Sequence, residues 1–176
     1  MKKILILFLL NCFFINSTLY ARTQTTLDYQ DRIHAESSES FMVVSQNTHA
    51  TEAGYEILSK GGNAVDASVA VGFALAVTLP RAGNLGGGGF MLIYDKETNK
   101  VETLDYRSAA PKSARSEMFV DGSSVVRFGH LVNAVPGSVA GLIKAHEKHG
   151  KLSLSEVMKP AIRLAKNGIP VTKDLN

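Results

Sequence analysis

The sequence predicts an α+β domain in which helices pack against a largely antiparallel sheet. Three observations lead there. A β-branched run is followed by two stretches with helical spacing; an alternating strand pair comes next; and two further helical stretches follow an irregular segment.

Each element has a local cause. Phe41 to Ser45, FMVVS, is short, apolar and β-branched, and reads as the first strand. Ala50, Ala53, Ile57 and Leu58 recur at helical spacing, and Gly61-Gly62 stops that helix. Asn63 can cap a second helix, with Asp66 placed to reach back toward the free amides. This helix is expected from about Ala64 to Thr78, ended by Pro80. Apart from Asp66, Ser68, Gly72 and Thr78 it is apolar all round, as a buried helix is, and its Ala and Val residues let another backbone come close. It is too short to span a bilayer, which takes about 20 residues.

The stretch RAGNLGGGGFM, Arg81 to Met91, follows. A phosphate loop would end in Gly-Lys-Ser/Thr, but Gly89 precedes Phe90 and Met91. A dinucleotide loop follows a strand and opens a helix, and here the order is helix, glycines, strand. Glycines between buried-type segments point instead to a tight backbone path with close approach. Phe90 to Tyr94 and Val101 to Tyr106 then flank the turn DKETNK as a hairpin. On its second arm Val101, Thr103 and Asp105 alternate with Glu102, Leu104 and Tyr106. Arg107 sits directly at the end, and Pro111 blocks further pairing.

Pro136-Gly137 opens a third helix, with Val139, Leu142, Ile143 and His146 on one face and Gly150 as stop. Ser153 and Glu156 make a capping box for a fourth, which carries Leu154, Val157, Met158, Ala161, Ile162 and Ala165. Pro160 should kink it, because one backbone donor is lost, and Gly168 ends it. The chain stops at Asn176, soon after a helix, so the domain is expected to be incomplete.

The N-terminus is expected to lie outside the fold. Lys2 and Lys3 precede an apolar run from Ile4 to Ile15, then polar residues and the small Ala21, the layout of a cleavable signal peptide. Residues 1–21 are assigned to it, and 22–40 to a polar leader or linker. This implies a secreted or periplasmic protein without a stable membrane anchor. Of 19 basic and 16 acidic residues, losing Lys2 and Lys3 leaves 17 against 16, net +1. No basic block remains to suggest nucleic acid. The single cysteine, Cys12, leaves with the signal, which excludes disulfides, thiolate metal sites and a cysteine nucleophile. His146 and His149 have a spacing that metal sites use, but no third ligand joins them in pattern, and they read as solvated helix residues. His49 reads as a polar loop residue, and Thr48 and Thr51 as helix-start residues, since neither can become a chain terminus.

GGNAVDASVAVGFALAV, AGNLGGGGFML, LDYR and AVPGSVAGL, in that order, resemble the γ-glutamyltranspeptidases, or glutathione hydrolases. The resemblance makes 41–176 the N-terminal part of a large-subunit domain. It implies an N-terminal-nucleophile hydrolase fold, an αββα sandwich of which only a portion is present. It further implies a proenzyme that cuts itself, the new N-terminal Thr of a small subunit being the nucleophile and its α-amine the base. The substrates implied are glutathione and other γ-glutamyl compounds, with acceptor amines or water receiving the acyl group, and no cofactor or metal. Carried over residue by residue, the Arg that closes the LD-aromatic-R block binds the substrate α-carboxylate, and that is Arg107. Many members have an acidic residue next, where this chain has Ser108. No catalytic residue is expected in this chain, since the nucleophile lies beyond Asn176 in the family. The competing readings are a related exported amidase, such as a cephalosporin acylase or a capsule-depolymerising transpeptidase, and a non-catalytic exported binding module.

Overall fold

The computed structural model describes residues 36–119 and 130–171. The expected signal peptide and the leader up to residue 35 lie outside them, as does the chain from residue 172. The chain divides into two units, Met1–Ser37 and Ser38–Asn176. Of the first only Glu36 and Ser37 are described, without regular structure.

In the second unit the order is helix α1 (Thr48–Ser59), helix α2 (Ala64–Thr78), strands β1 (Phe90–Asp95) and β2 (Lys100–Asp105), two short 3-10 turns, helix α3 (Ser138–His149) and helix α4 (Leu154–Asn167). Asn47 caps α1, accepting from the backbone N–H groups of His49 and Ala50. His49 is thus in the first helical turn, not in a loop, and its ring faces Glu52. Gly61, with φ at 87°, lets the chain turn out of α1 where a side chain would be strained.

The core lies between helices. Ala50, Ala53 and Ile57 of α1 meet Val65, Val69, Ala70, Phe73 and Ala74 of α2, with Leu142 and Ala145 of α3 and Val157 and Ala161 of α4 around them. Burying one side chain such as Ile57 or Val157 stabilises the fold by about 1.5–3 kcal/mol. The small residues of α2 allow this crowding. The described residues are α+β, as expected from the sequence: a two-stranded antiparallel sheet lies with four helices, and α2 is the centre of the core.

A buried carboxylate fixes the start of α2. Asn63 and Asp66 form the reciprocal capping box. Asp66, with no exposed surface, also accepts from the backbone N–H groups of Lys151 (3.0 Å) and Leu152 (3.2 Å), 85 and 86 residues away. The Asn63 amide donates to the carbonyl of His149 at 2.6 Å. His146 is therefore not a solvated residue. Its ring is nearly buried, 2.9 Å from the Leu152 carbonyl and 3.5 Å from Asp66. At the rim Glu56 takes Lys60 and Arg163, tying α1 to α4.

The hairpin pairs in register from Phe90↔Asp105 to Asp95↔Lys100. Asp95 holds the turn through the Glu97 N–H and the Thr98 hydroxyl, and Asn99 takes the positive φ that closes it. Met91, Ile93 and Leu104 pack against the core. The opposite face shows Phe90, Leu92, Tyr94 and Val101, each more than half exposed.

Phe41–Ser45 does not form the expected strand. Phe41, Val43 and Ser45 turn inward and Met42 and Val44 outward, so the alternation of a strand is present. A strand also needs a ladder, and none forms among the described residues. Two other details differ from expectation. Val139 and Ile162 point outward, at 38% and 44% exposed, and the inner face of α3 is Gly141, Leu142 and Ala145. In α4 the Ser153 hydroxyl accepts from the Glu156 N–H, but the Glu156 carboxylate pairs with Lys159 instead of closing the box. Pro160 lies buried inside α4, which continues through it.

Candidate functional site around Arg107

Arg107 stands two residues beyond β2, where three segments meet. Gly89 and Tyr106 exchange backbone hydrogen bonds (3.0 and 3.3 Å), which carries the hairpin one pair further. Gly87 offers its carbonyl to the N–H groups of Gly137 (2.8 Å) and Ser138 (3.1 Å), so the glycine run satisfies two donors at the start of α3. Ala109 and Val135 form a bridge. The segment 106–109 is thus threaded between the glycine run and the entry to α3.

The Arg107 backbone is fixed while its side chain is open. Its N–H donates to Asp105 Oδ1 at 2.9 Å. Its guanidinium is exposed, with the Ser108 hydroxyl 3.4 Å from one terminal nitrogen. Neither nearby carboxylate takes the charge. Asp105 is occupied by backbone, and Glu102 pairs with Lys148 (2.5 Å) and His149 (3.1 Å). The Lys148 hydrogen bond, against a small opposing effect of burial, holds Glu102 below the ordinary carboxylate range. A planar cation on a fixed stem, without a carboxylate of its own among the described residues, can grip an incoming carboxylate through two parallel hydrogen bonds.

Two cavities lie beside it, and Tyr106 lines both. The larger, about 650 Å³, has Phe41–Val44 and Phe90–Leu92 in its walls and Ser68, Val71 and Leu75 of α2 among its lining. The smaller, about 140 Å³, lies among Asn84, Gly87, Gly88, Ser138 and Leu142. Arg107 lines neither. Burial pushes the Tyr106 phenol up from its ordinary pKa. Tyr106 was not singled out by sequence reasoning. The signal that could have found it is Gly137 and Gly141, four apart on one helical face.

His146 and His149 point to different partners, one to Leu152 and Asp66 and the other to Glu102. Among the described residues no three His, Cys, Asp or Glu side chains gather as metal ligands. Thr51 spends its hydroxyl on Ser45, and Thr48 is the first residue of α1.

A family model described as Gamma-glutamyltranspeptidase matches residues 50–176. The chain belongs to that family. The glutathione hydrolase proenzyme of Escherichia coli (strain K12) is 46% identical over 151 residues, covering 83% of this chain and 26% of that protein. The crystal structure of Helicobacter pylori gamma-glutamyltranspeptidase aligns with a TM-score of 0.73 at 39% identity, over 81% of this chain and 42% of that one. A cephalosporin acylase structure from Bacillus halodurans aligns with a TM-score of 0.66 at 29% identity, over 86% of this chain and 29% of that one. The chain spans about a quarter of the length of the curated relatives it matches. The family blocks fall on α2, the glycine run, the end of β2 and the entry to α3, and the last three are the segments that meet around Arg107. No helix among the described residues is long and apolar enough to cross a membrane.

Proposed function

We propose that this chain supplies the N-terminal part of an N-terminal-nucleophile enzyme that transfers or hydrolyses γ-glutamyl groups of glutathione and related amides. The observation that carries the reading is Arg107: an exposed guanidinium on a pinned backbone, without a competing carboxylate, inside the family's LD-aromatic-R block. In this reading Arg107 binds the substrate α-carboxylate and so places the γ-carbonyl for attack. The nucleophile is the terminal Thr hydroxyl of a small subunit, whose own amine takes the proton. The γ-glutamyl group moves to that oxygen, the C–N bond breaks and the leaving amine takes the proton held by the Thr amine; water or an acceptor amine then attacks the ester, its proton passing through the same amine to restore the Thr hydroxyl.

An unpaired edge supports the reading of a further subunit. Among the described residues, the larger cavity runs beside an extended segment, 41–45, that has no ladder, and beside β1, which is paired on one edge only. An added strand would satisfy backbone groups that neither segment can satisfy alone. Residues 1–21 are proposed to be removed on export to the periplasm or the exterior. A mature protein whose first residue by terminal sequencing is not Arg22 would count against that site.

The test uses γ-glutamyl-p-nitroanilide. The 176-residue chain alone should release no p-nitroaniline, and the chain completed with the remainder of a family large subunit and its small subunit should release it. In that assembly Arg107→Gln should raise KM about 10- to 100-fold, the loss of a charged hydrogen-bond pair. Release by the lone chain, or an unchanged KM in Arg107→Gln, would overturn the reading.

A further inference from the structure

We propose that Tyr106 is a positioning residue for Arg107, and that Gly88, Gly137 and Gly141 exist as glycines to hold it; the proposal rests on the carboxylate-binding reading of Arg107. A Cβ on Gly141 would lie under 3.0 Å from Tyr106 Cβ, Cγ and Cδ1, the last at 2.7 Å. One on Gly137 would strike the Tyr106 carbonyl, with its carbon at 2.9 Å. One on Gly88 would fall 2.7 Å from Tyr106 O and 2.8 Å from Arg107 C, and closer still to the Ser108 nitrogen. These are mostly backbone atoms or the root of the side chain, which cannot swing aside.

The three walls come from two separate segments and converge on one stretch of chain. They enclose the peptide groups on both sides of Arg107, while Asp105 holds its N–H. Among the described residues the guanidinium itself touches only the Ser108 hydroxyl among polar groups. What is fixed is therefore the backbone from which it starts, and that backbone is held with Tyr106 in its slot. The hairpin does not need this slot to form, since six register pairs precede it. What the slot adds is a fixed origin for a long flexible cation, which lowers the ordering cost of binding.

The experiment is steady-state kinetics on γ-glutamyl-p-nitroanilide with the assembled, full-length protein. Gly141→Ala, which pushes Tyr106, should raise KM about tenfold and change kcat less than about threefold. Tyr106→Ala adds no bulk, folds without the clash and should raise KM similarly, while Tyr106→Phe keeps the ring and should restore the parent value. Ile57→Ala is the control for mere packing. Ile57 is buried between α1 and α2 and lines neither cavity, so melting temperature should fall with KM unchanged. If Gly141→Ala and Tyr106→Ala both leave KM within about twofold while Arg107→Gln raises it, positioning is overturned and the carboxylate reading stands. If Arg107→Gln leaves KM unchanged, both fall.

Discussion

The helical half of the molecule is closed and the hairpin half is open. Ala50, Ile57, Val69 and Val157 have no exposed surface, whereas Phe90 and Leu92 are 69% and 71% exposed. Both halves are apolar, so hydrophobicity does not separate them. The helices have neighbours on their apolar sides. Among the described residues the hairpin has one on the face carrying Met91, Ile93 and Leu104 and none on the other. A strand pair apolar on both faces belongs inside a sandwich.

Substitutions graded from the closed region to the open one can break this contrast. The largest effect is expected at Asp66. Asp66→Ala leaves the part-buried backbone donors of Asn63, Lys151 and Leu152 without their carboxylate and should cost on the order of 4 kcal/mol in urea unfolding of the chain. Ile57→Ala leaves a cavity between α1 and α2 and should cost about 3 kcal/mol by the same measurement.

Glu56 lies at the rim and tests the boundary by pH. Burial raises its pKa, but the Lys60 and Arg163 hydrogen bonds outweigh this and the net shift is downward. Its contribution is thus present above the ordinary carboxylate pKa and lost as pH falls through the lowered one. Glu56→Gln should remove that part of the acid dependence, about 1 kcal/mol or less. The smallest effect is expected at Leu92→Thr, within about 0.5 kcal/mol in the lone chain. A cost there to match Ile57→Ala would mean that the outer face is already covered.

What was legible in the sequence was local. The bounds of α2 follow from the Asn63–Asp66 box, an apolar run and Pro80, all read within 18 residues. The position of Arg107 follows from alternation in β2. What was not legible depends on distant partners. Phe41–Ser45 has the pattern of a strand, yet whether it pairs depends on a neighbour the local pattern does not specify. His146 is buried because Asp66 and Leu152 reach it from other elements. The glycine run was recognisable as a close-approach turn, but not as one wall of a slot for Tyr106, because the other wall begins at Gly137, nearly 50 residues later.

The Asp66 clasp also sets an order of events at the ribosome. The start of α2 is completed by amides that are synthesised 85 residues later. At about 5–20 residues per second the emerging α1–α2 pair waits roughly 4–17 s for them. For most of that interval α3 and α4 are not yet made, and the nascent chain carries the Ala/Val surface of α2 as an uncovered apolar face.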